Sequence, residues 1–363
     1  MKLKQYVFAG VLLLLYVPFL YSCSGNADNP VVPDNQDKDE PQFPPPSTEQ
    51  LDAFPQNGIL GRGVNFGNML EAPQEGDWGI VVQEAFFDSV KSAGFQNIRI
   101  PIRWTTHAQL DSPYTVDKNF FNRIEWVVTN ALTRDLAPII NMHHYEEIYS
   151  DPQNHKQRFL AIWRQIADRF KNYPDNLFFE LLNEPNSNLT ASLWNEFLAE
   201  GISVVRETNP ARTIIVGPVQ WNNINSLAAL RLPEDDRNII VTFHYYNPFQ
   251  FTHQGAEWVD GADAWLGATW LRTPAQKADV DRDLKIASDW GSANNRPLFM
   301  GEFGAYSRAD MHSRELWTRY VREKAEDLGF SWAYWEFGAG FGIYDRDTNE
   351  WRTPLLNALI TGN

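Results

Sequence analysis

FFELLNEP, residues 178–185, is an apolar run that carries two glutamates four positions apart and stops at a proline. Side chains alternate along a strand, so positions 180, 182 and 184 share one face. A run of this length, aromatic and apolar and bounded by Pro185, reads as a buried strand whose tip bears Asn183 and Glu184.

The same unit recurs along the chain. Strand candidates lie at 59–66, 97–102, 137–144, 176–184, 212–218, 238–246, 297–304 and 330–337. Between them, runs at 81–94, 120–135, 156–170, 192–208 and 313–329 repeat apolar residues every three or four positions, as amphipathic helices do. Shorter helices are expected near 222–230 and 353–360. Eight strands, each followed by a helix, over about 300 residues is the count of an α/β (β/α)8 TIM barrel forming one domain. A doubly wound sheet would carry a glycine-rich phosphate loop after its first strand, and GVNFGN lacks that spacing.

The barrel assigns different work to the two glutamates. Four residues of strand span roughly 13 Å, so Glu180 and Glu184 cannot both act on one bond. Glu184 is at the C-terminal end of its strand, where barrels keep their active sites. Glu180 is expected deep inside, paired with Arg62 or Arg99 of a neighbouring strand, because a bare buried charge is costly.

Composition narrows the partner. Net charge is −15, which argues against nucleic acid and anionic membranes and favours a neutral substrate. Tryptophan is used 14 times, more than core packing needs, and sugar-stacking surfaces use it this way. Cys23 is the single cysteine, so neither an internal disulfide nor a thiolate metal site can form.

The first 22 residues combine Lys2 and Lys4 with the apolar run VFAGVLLLLYVPFL, which marks a secretory signal rather than a membrane span. The cysteine that follows resembles a bacterial lipobox, which implies cleavage before Cys23, its acylation and lipid anchoring to a Gram-negative cell envelope. Residues 23–50, rich in Pro, Asp, Asn and Gln, read as a disordered tether, leaving 51–363 as the catalytic domain. A monomer is expected.

Polar and aromatic residues collect at the ends of all eight strands: Asn65, Arg99, His143 with His144, Asn183 with Glu184, Trp221, His244 with Tyr246, Glu302, and Trp335 with Glu336. After the sixth strand a stretch of 28 residues, 248–275, adds His253 and three tryptophans, Trp258 among them, before the next helix. Loops this long are often functional. Trp78, Trp126, Trp163, Trp194 and Trp317 fall in or near helices and are expected to pack. Glutamates at the tips of strands four and seven suit glycoside hydrolysis, which needs one carboxyl to protonate the leaving oxygen and another, ionised, to attack or stabilise the sugar carbon.

NEP (183–185), GEFG (301–304), IRIP (98–101), NMHHYEE (141–147), FHYYNP (243–248) and AYWEF (333–337) together resemble glycoside hydrolase family five, the cellulase family. The match runs from 59 to 361 and is similar in particular to thermophilic endoglucanases of that family that also accept mannan. The resemblance implies a retaining endo-β-1,4-glucanase acting on β-glucan or mannan without a cofactor. It makes Glu184 the general acid/base and Glu302 the nucleophile, with carboxyls about 5 Å apart. Arg99 would hold Glu302 ionised, and Asn183 would bind the sugar 2-hydroxyl. His143, His244 and Tyr246 would position the glutamates, and Trp335 would lie under the sugar. His144, His253, Trp221, Trp258, Glu336 and Asn65 are implied as further sugar contacts.

Two other readings exist. HHYEE could be a metal cluster, but neighbours in a strand face opposite ways, so His143 and His144 would not share one ion easily. A glycan-binding lipoprotein without activity would keep the tryptophans but lose one glutamate, and both glutamates are present.

Overall fold

The computed structural model of the chain describes residues 43–360. The signal segment, Cys23 and most of the tether lie outside them. No helix among the described residues is long and apolar enough to cross a membrane.

Eight parallel strands close a barrel in chain order. They are β1 Arg62–Asn65, β2 Asn97–Ile100, β3 Ala137–Asn141, β4 Phe178–Glu180, β5 Ile214–Val216, β6 Ile239–Tyr245, β7 Leu298–Phe303 and β8 Ser331–Tyr334. Each expected strand is present, though shorter than its apolar run. Helices Glu84–Ala93, Lys118–Leu132, Pro152–Arg169, Ala191–Arg206, Pro274–Asn294, Met311–Asp327 and Thr353–Leu359 form the outer layer. Side-chain caps start several of them: Asp117, Thr190 and Asp310 each accept a backbone N–H from the first turn, and Thr273 forms a capping box with Gln276. The expected fifth helix is only a 3-10 segment, Ile224–Ala229.

One helix went unforeseen. Ala53–Leu60 precedes β1 and overlaps the start of the expected first strand. Its sequence, AFPQNGIL, hides the helix behind a proline and a glycine. Pro55 falls in the first turn, where backbone N–H groups have no helical partner anyway, and Asp52 caps the start. Ala53 and Leu60 pack with Ala137, Ile139, Phe178, Ile215, Ile240, Phe299 and Ala333 to fill the N-terminal end of the barrel. Leu60 is fully buried there, which contributes roughly 2 kcal/mol.

The tether ends earlier than residue 50. The Ser47 backbone N–H donates to both carboxylate oxygens of Asp175 at 3.1 Å, Gln50 donates to Asp236 at 2.7 Å, and Phe43 packs on Tyr173. Asp175 and Asp236 precede β4 and β6, so this segment lies along the N-terminal end of the barrel.

The 248–275 stretch is locally ordered. It holds two short helical turns, Phe249–Thr252 and Ala262–Trp265. Gln254 ties it together by donating to the Ala268 carbonyl and accepting from the Gly267 N–H. Trp270 is buried, leaving Trp258 as the exposed tryptophan of the three.

Candidate active site

β4 keeps its ladder with β3 and β5 only to Glu180. Beyond it the backbone turns, and Glu184 sits in the left-handed region at φ 50. The expected common face for 180, 182 and 184 therefore fails. Leu182 is buried in the apolar core, while Glu184 reaches the cleft with its side chain 25% exposed. Glu302 stays within β7, flanked by glycines for steric reasons. A Cβ on Gly301 would meet Thr242 Oγ1 at 2.5 Å, and one on Gly304 would meet the Trp335 carbonyl at 2.2 Å.

Arg99 organises the barrel mouth. Fully buried, it donates from Nε and Nη2 to the two Glu180 oxygens at 2.6 and 2.8 Å. Nη1 donates to Glu302 Oε1 at 2.7 Å and Asn65 Oδ1 at 2.9 Å, and Nη2 also donates to Asn183 Oδ1 at 2.7 Å. Glu180 is thus buried and paired with Arg99, as expected. Arg62 pairs instead with Glu326.

The two mouth carboxyls differ in their surroundings. Glu302 accepts from Arg99 and, through Oε2, from the Tyr246 hydroxyl at 2.8 Å. Glu184 Oε1 shares a hydrogen bond of 2.6 Å with His244 Nδ1. Burial lifts the Glu184 carboxyl to about 7, with Arg99 pulling the other way. Burial raises Glu302 too, opposed by His244, Arg99 and the Tyr246 hydrogen bond. Two donors, one of them charged, make Glu302 the group held as an anion. One acceptor atom each from Glu184, His244 and Glu302 lie within 4.8 Å of one another. That spacing suits a metal ion, but both Glu302 oxygens and the facing Glu184 oxygen are already engaged in hydrogen bonds.

Other expected contacts divide. Trp221 and Trp258, both exposed, line a cavity of about 550 Å³ with Glu184, His244, Tyr246 and His253. His143 touches neither glutamate. It bonds to Asn141 and lies parallel to Trp335 at 5.8 Å, backing that ring. His144 is half-buried, its Nδ1 3.5 Å from Glu146. The two histidine rings lie 4.6 Å apart, because the chain has left β3 and His144 has φ 50, so strand alternation does not separate them.

Two expected sugar contacts are structural. Asn65 is fully buried, and its amide donates to the carbonyls of Gly301, Ala333 and Tyr334, tying β1 to β7 and β8. Glu336 is fully buried and accepts from the N–H groups of Gly338, Ala339 and Phe341. Both face inward, where a sugar cannot reach.

Two residues at the mouth escaped sequence reasoning. Trp78, expected to pack, is 43% exposed and stands edge-on to His144 at 5.7 Å. Its loop is anchored by the Glu75–Arg123 ion pair and by Arg346 donating to the Gly79 carbonyl. Glu71 is fully buried and accepts from the Asn68 and Met69 N–H groups. Burial lifts it and Glu336 each to about 7. A lone glutamate in a loop carries no sequence signal. Trp78, in EGDWG between two turn glycines, could have been read as a loop residue.

The chain is 40% identical over 324 residues to endoglucanase H of Acetivibrio thermocellus, a match covering 87% of this chain but 34% of that longer protein. Structures of Thermotoga maritima Cel5A in complex with mannotriose and with cellobiose superpose with a TM-score of 0.84. Each is 51% identical and covers 85% of this chain and 100% of that one. Residues 60–340 match the profile of the cellulase family, glycosyl hydrolase family 5. With that match across most of its length, the chain belongs to glycosyl hydrolase family 5.

Proposed function

We propose that this chain is an endo-β-1,4-glucanase that hydrolyses internal bonds of soluble β-glucans by retaining double displacement. The observation that carries this reading is the spacing of the two carboxyls. An oxygen of Glu184 and one of Glu302 lie within 4.8 Å. Retaining glycosidases hold their carboxyls about 5–5.5 Å apart, and inverting ones leave roughly 6.5 Å or more for a water.

In the first step Glu302 attacks the anomeric carbon while Glu184 protonates the departing sugar oxygen. In the second, Glu184 takes a proton from water, whose oxygen displaces Glu302. Arg99 and Tyr246 keep Glu302 anionic before attack and accommodate the loss of that charge during it. Asn183 has its oxygen held by Arg99, which leaves the amide nitrogen to donate to the 2-hydroxyl. Trp335 offers the sugar a ring backed by His143. Trp221 and Trp258 extend one end of the cleft, and Trp78 with His144 the other. An open cleft with stacking rings at both ends suits a polymer.

Mannanase or xyloglucanase activity on the same scaffold is the second reading. Mannan and glucomannan are favoured by the relative crystallised with both mannotriose and cellobiose. Anomers of the first products, followed by NMR, test the mechanism, and initial inversion would exclude it. Reducing-sugar release from carboxymethylcellulose separates the enzyme from a silent glycan-binding protein. Envelope anchoring through Cys23 remains part of the proposal. Cys23→Ser should release the protein from the membrane fraction, and retention there would reject the anchor.

A further inference from the structure

Gln220, Trp221 and Asn222 are three consecutive residues at positive φ, 59, 58 and 55, with no glycine among them. The left-handed region costs energy for Gln220 and Trp221 and less for Asn222, and such residues cluster at functional sites. Trp221 points into the cleft, while Asn222 is fully buried beneath it. The Asn222 amide folds back over Gly217, where any Cβ would lie 2.1 Å from Oδ1. Its Nδ2 is 3.2 Å from His244 Nε2, and its Oδ1 has no partner. Exchanging the two amide atoms would strand both N–H groups against a glycine, a worse orphan than one carbonyl oxygen.

A primary amide nitrogen only donates, so His244 Nε2 must accept. Burial lowers His244 to about 4, so the ring is neutral and carries one proton. That proton is therefore on Nδ1, 2.6 Å from Glu184 Oε1. Since Oε1 accepts it, the acid proton of Glu184 is confined to Oε2, which makes no hydrogen bond among the described residues. The opposite tautomer would aim a lone pair at Oε1, drawing the acid proton there and away from substrate.

We propose that Asn222 is a positioning residue that selects the His244 tautomer and, through it, the oxygen from which Glu184 delivers its proton. This rests on the reading of Glu184 as the general acid. Asn222→Asp supplies an acceptor in the same space and favours a proton on Nε2. Asn222→Gly tolerates the left-handed backbone and removes the constraint. For both, kcat/KM is compared on a cello-oligosaccharide, whose leaving sugar needs protonation, and on dinitrophenyl cellobioside, whose leaving group does not.

Asn222→Asp is expected to lose about 100-fold on the oligosaccharide, the lower range for general acid catalysis, and less than about threefold on the aryl glycoside. Should Asn222→Asp fail to fold, Asn222→Gly is judged by the same split. Equal losses on both substrates, or none, overturn the proposal. Nitrogen-15 spectra of the wild-type histidines must also report a His244 protonated on Nδ1, and Nε2 protonation overturns it too. Glu184→Ala is the control. If it shows no leaving-group dependence, the reading of Glu184 falls and takes this proposal with it. If it does and the Asn222 variants do not, only the role of Asn222 falls.

Discussion

Glu184→Gln should stabilise the folded chain, and the gain should depend on pH. Burial raises the Glu184 carboxyl from an ordinary 4.5 to about 7. A carboxyl whose folded value is raised binds more protons folded than unfolded. Stability therefore falls as pH climbs from about 4.5 through 7. At about 1.36 kcal/mol per pH unit, the full penalty above pH 7 is about 3 kcal/mol. Glutamine carries no charge, and its Oε1 can still accept from His244 Nδ1, so the variant escapes that penalty alone. At roughly 2.1 cal/mol/K per residue of unfolding entropy for a domain of about 320 residues, 3 kcal/mol corresponds to about 5 °C in Tm. Wild type and variant should be melted side by side from pH 4.5 to 8.5, with denaturant titrations to guard against irreversible unfolding. Glu71 and Glu336, also raised, are common to both proteins and cancel. The expected gap is small near pH 4.5 and opens to about 5 °C by pH 7.5. A gap that stays constant across the range would refute the buried, destabilised acid.

The pH profile of kcat/KM should fall on its basic side near 7, as the Glu184 carboxyl loses its proton; a plateau to pH 9 would reject Glu184 as the acid. Trp78→Ala should lower kcat/KM about tenfold on cellohexaose, equivalent to a stacking contact of about 1.4 kcal/mol, while leaving short aryl glycosides unchanged. Equal losses on both would make the ring a packing residue after all.

The barrel was legible because its signal repeats eight times, and alternation of period-two and period-3.6 patterns survives errors at single elements. Ala53–Leu60 was not, because Pro55 and Gly58 suppress the propensity signal and the helix exists by plugging a barrel end already built. At the site, Glu184, Glu302 and Arg99 could be read from motif and strand position together. Asn65 and Glu336 were misread because strand-tip position does not tell which way a polar side chain turns. Asn65 turns inward to three carbonyls, and Glu336 to three N–H groups of the turn after it. Trp78 was misread for the converse reason. A tryptophan near a helix usually packs, and only the loop anchored by Glu75 and Arg346 holds this one out.

The electrostatics of the mouth give Glu180 more than a scaffold role. One guanidinium faces two carboxylates, Glu180 and Glu302, so the buried group is already one negative charge in excess. Ionising Glu184 would add a second where water is scarce. Arg99 lowers the Glu184 value and the Glu180 charge raises it, so the two carboxyls of strand four oppose each other's ionisation while Arg99 offsets both. Glu180→Gln keeps an acceptor for Arg99 and removes one charge. Arg99 would then offset the Glu184 anion more fully, and the Glu184 carboxyl would titrate lower. The basic limb of kcat/KM should move to lower pH in this variant, with less activity left at neutral pH and more of the loss recovered by acidifying the assay. A structural strut alone predicts a lower Tm and an unmoved limb. If the limb stays in place while stability drops, Glu180 only holds Arg99 in position, and the raised value of the acid owes nothing to its neighbour four residues upstream.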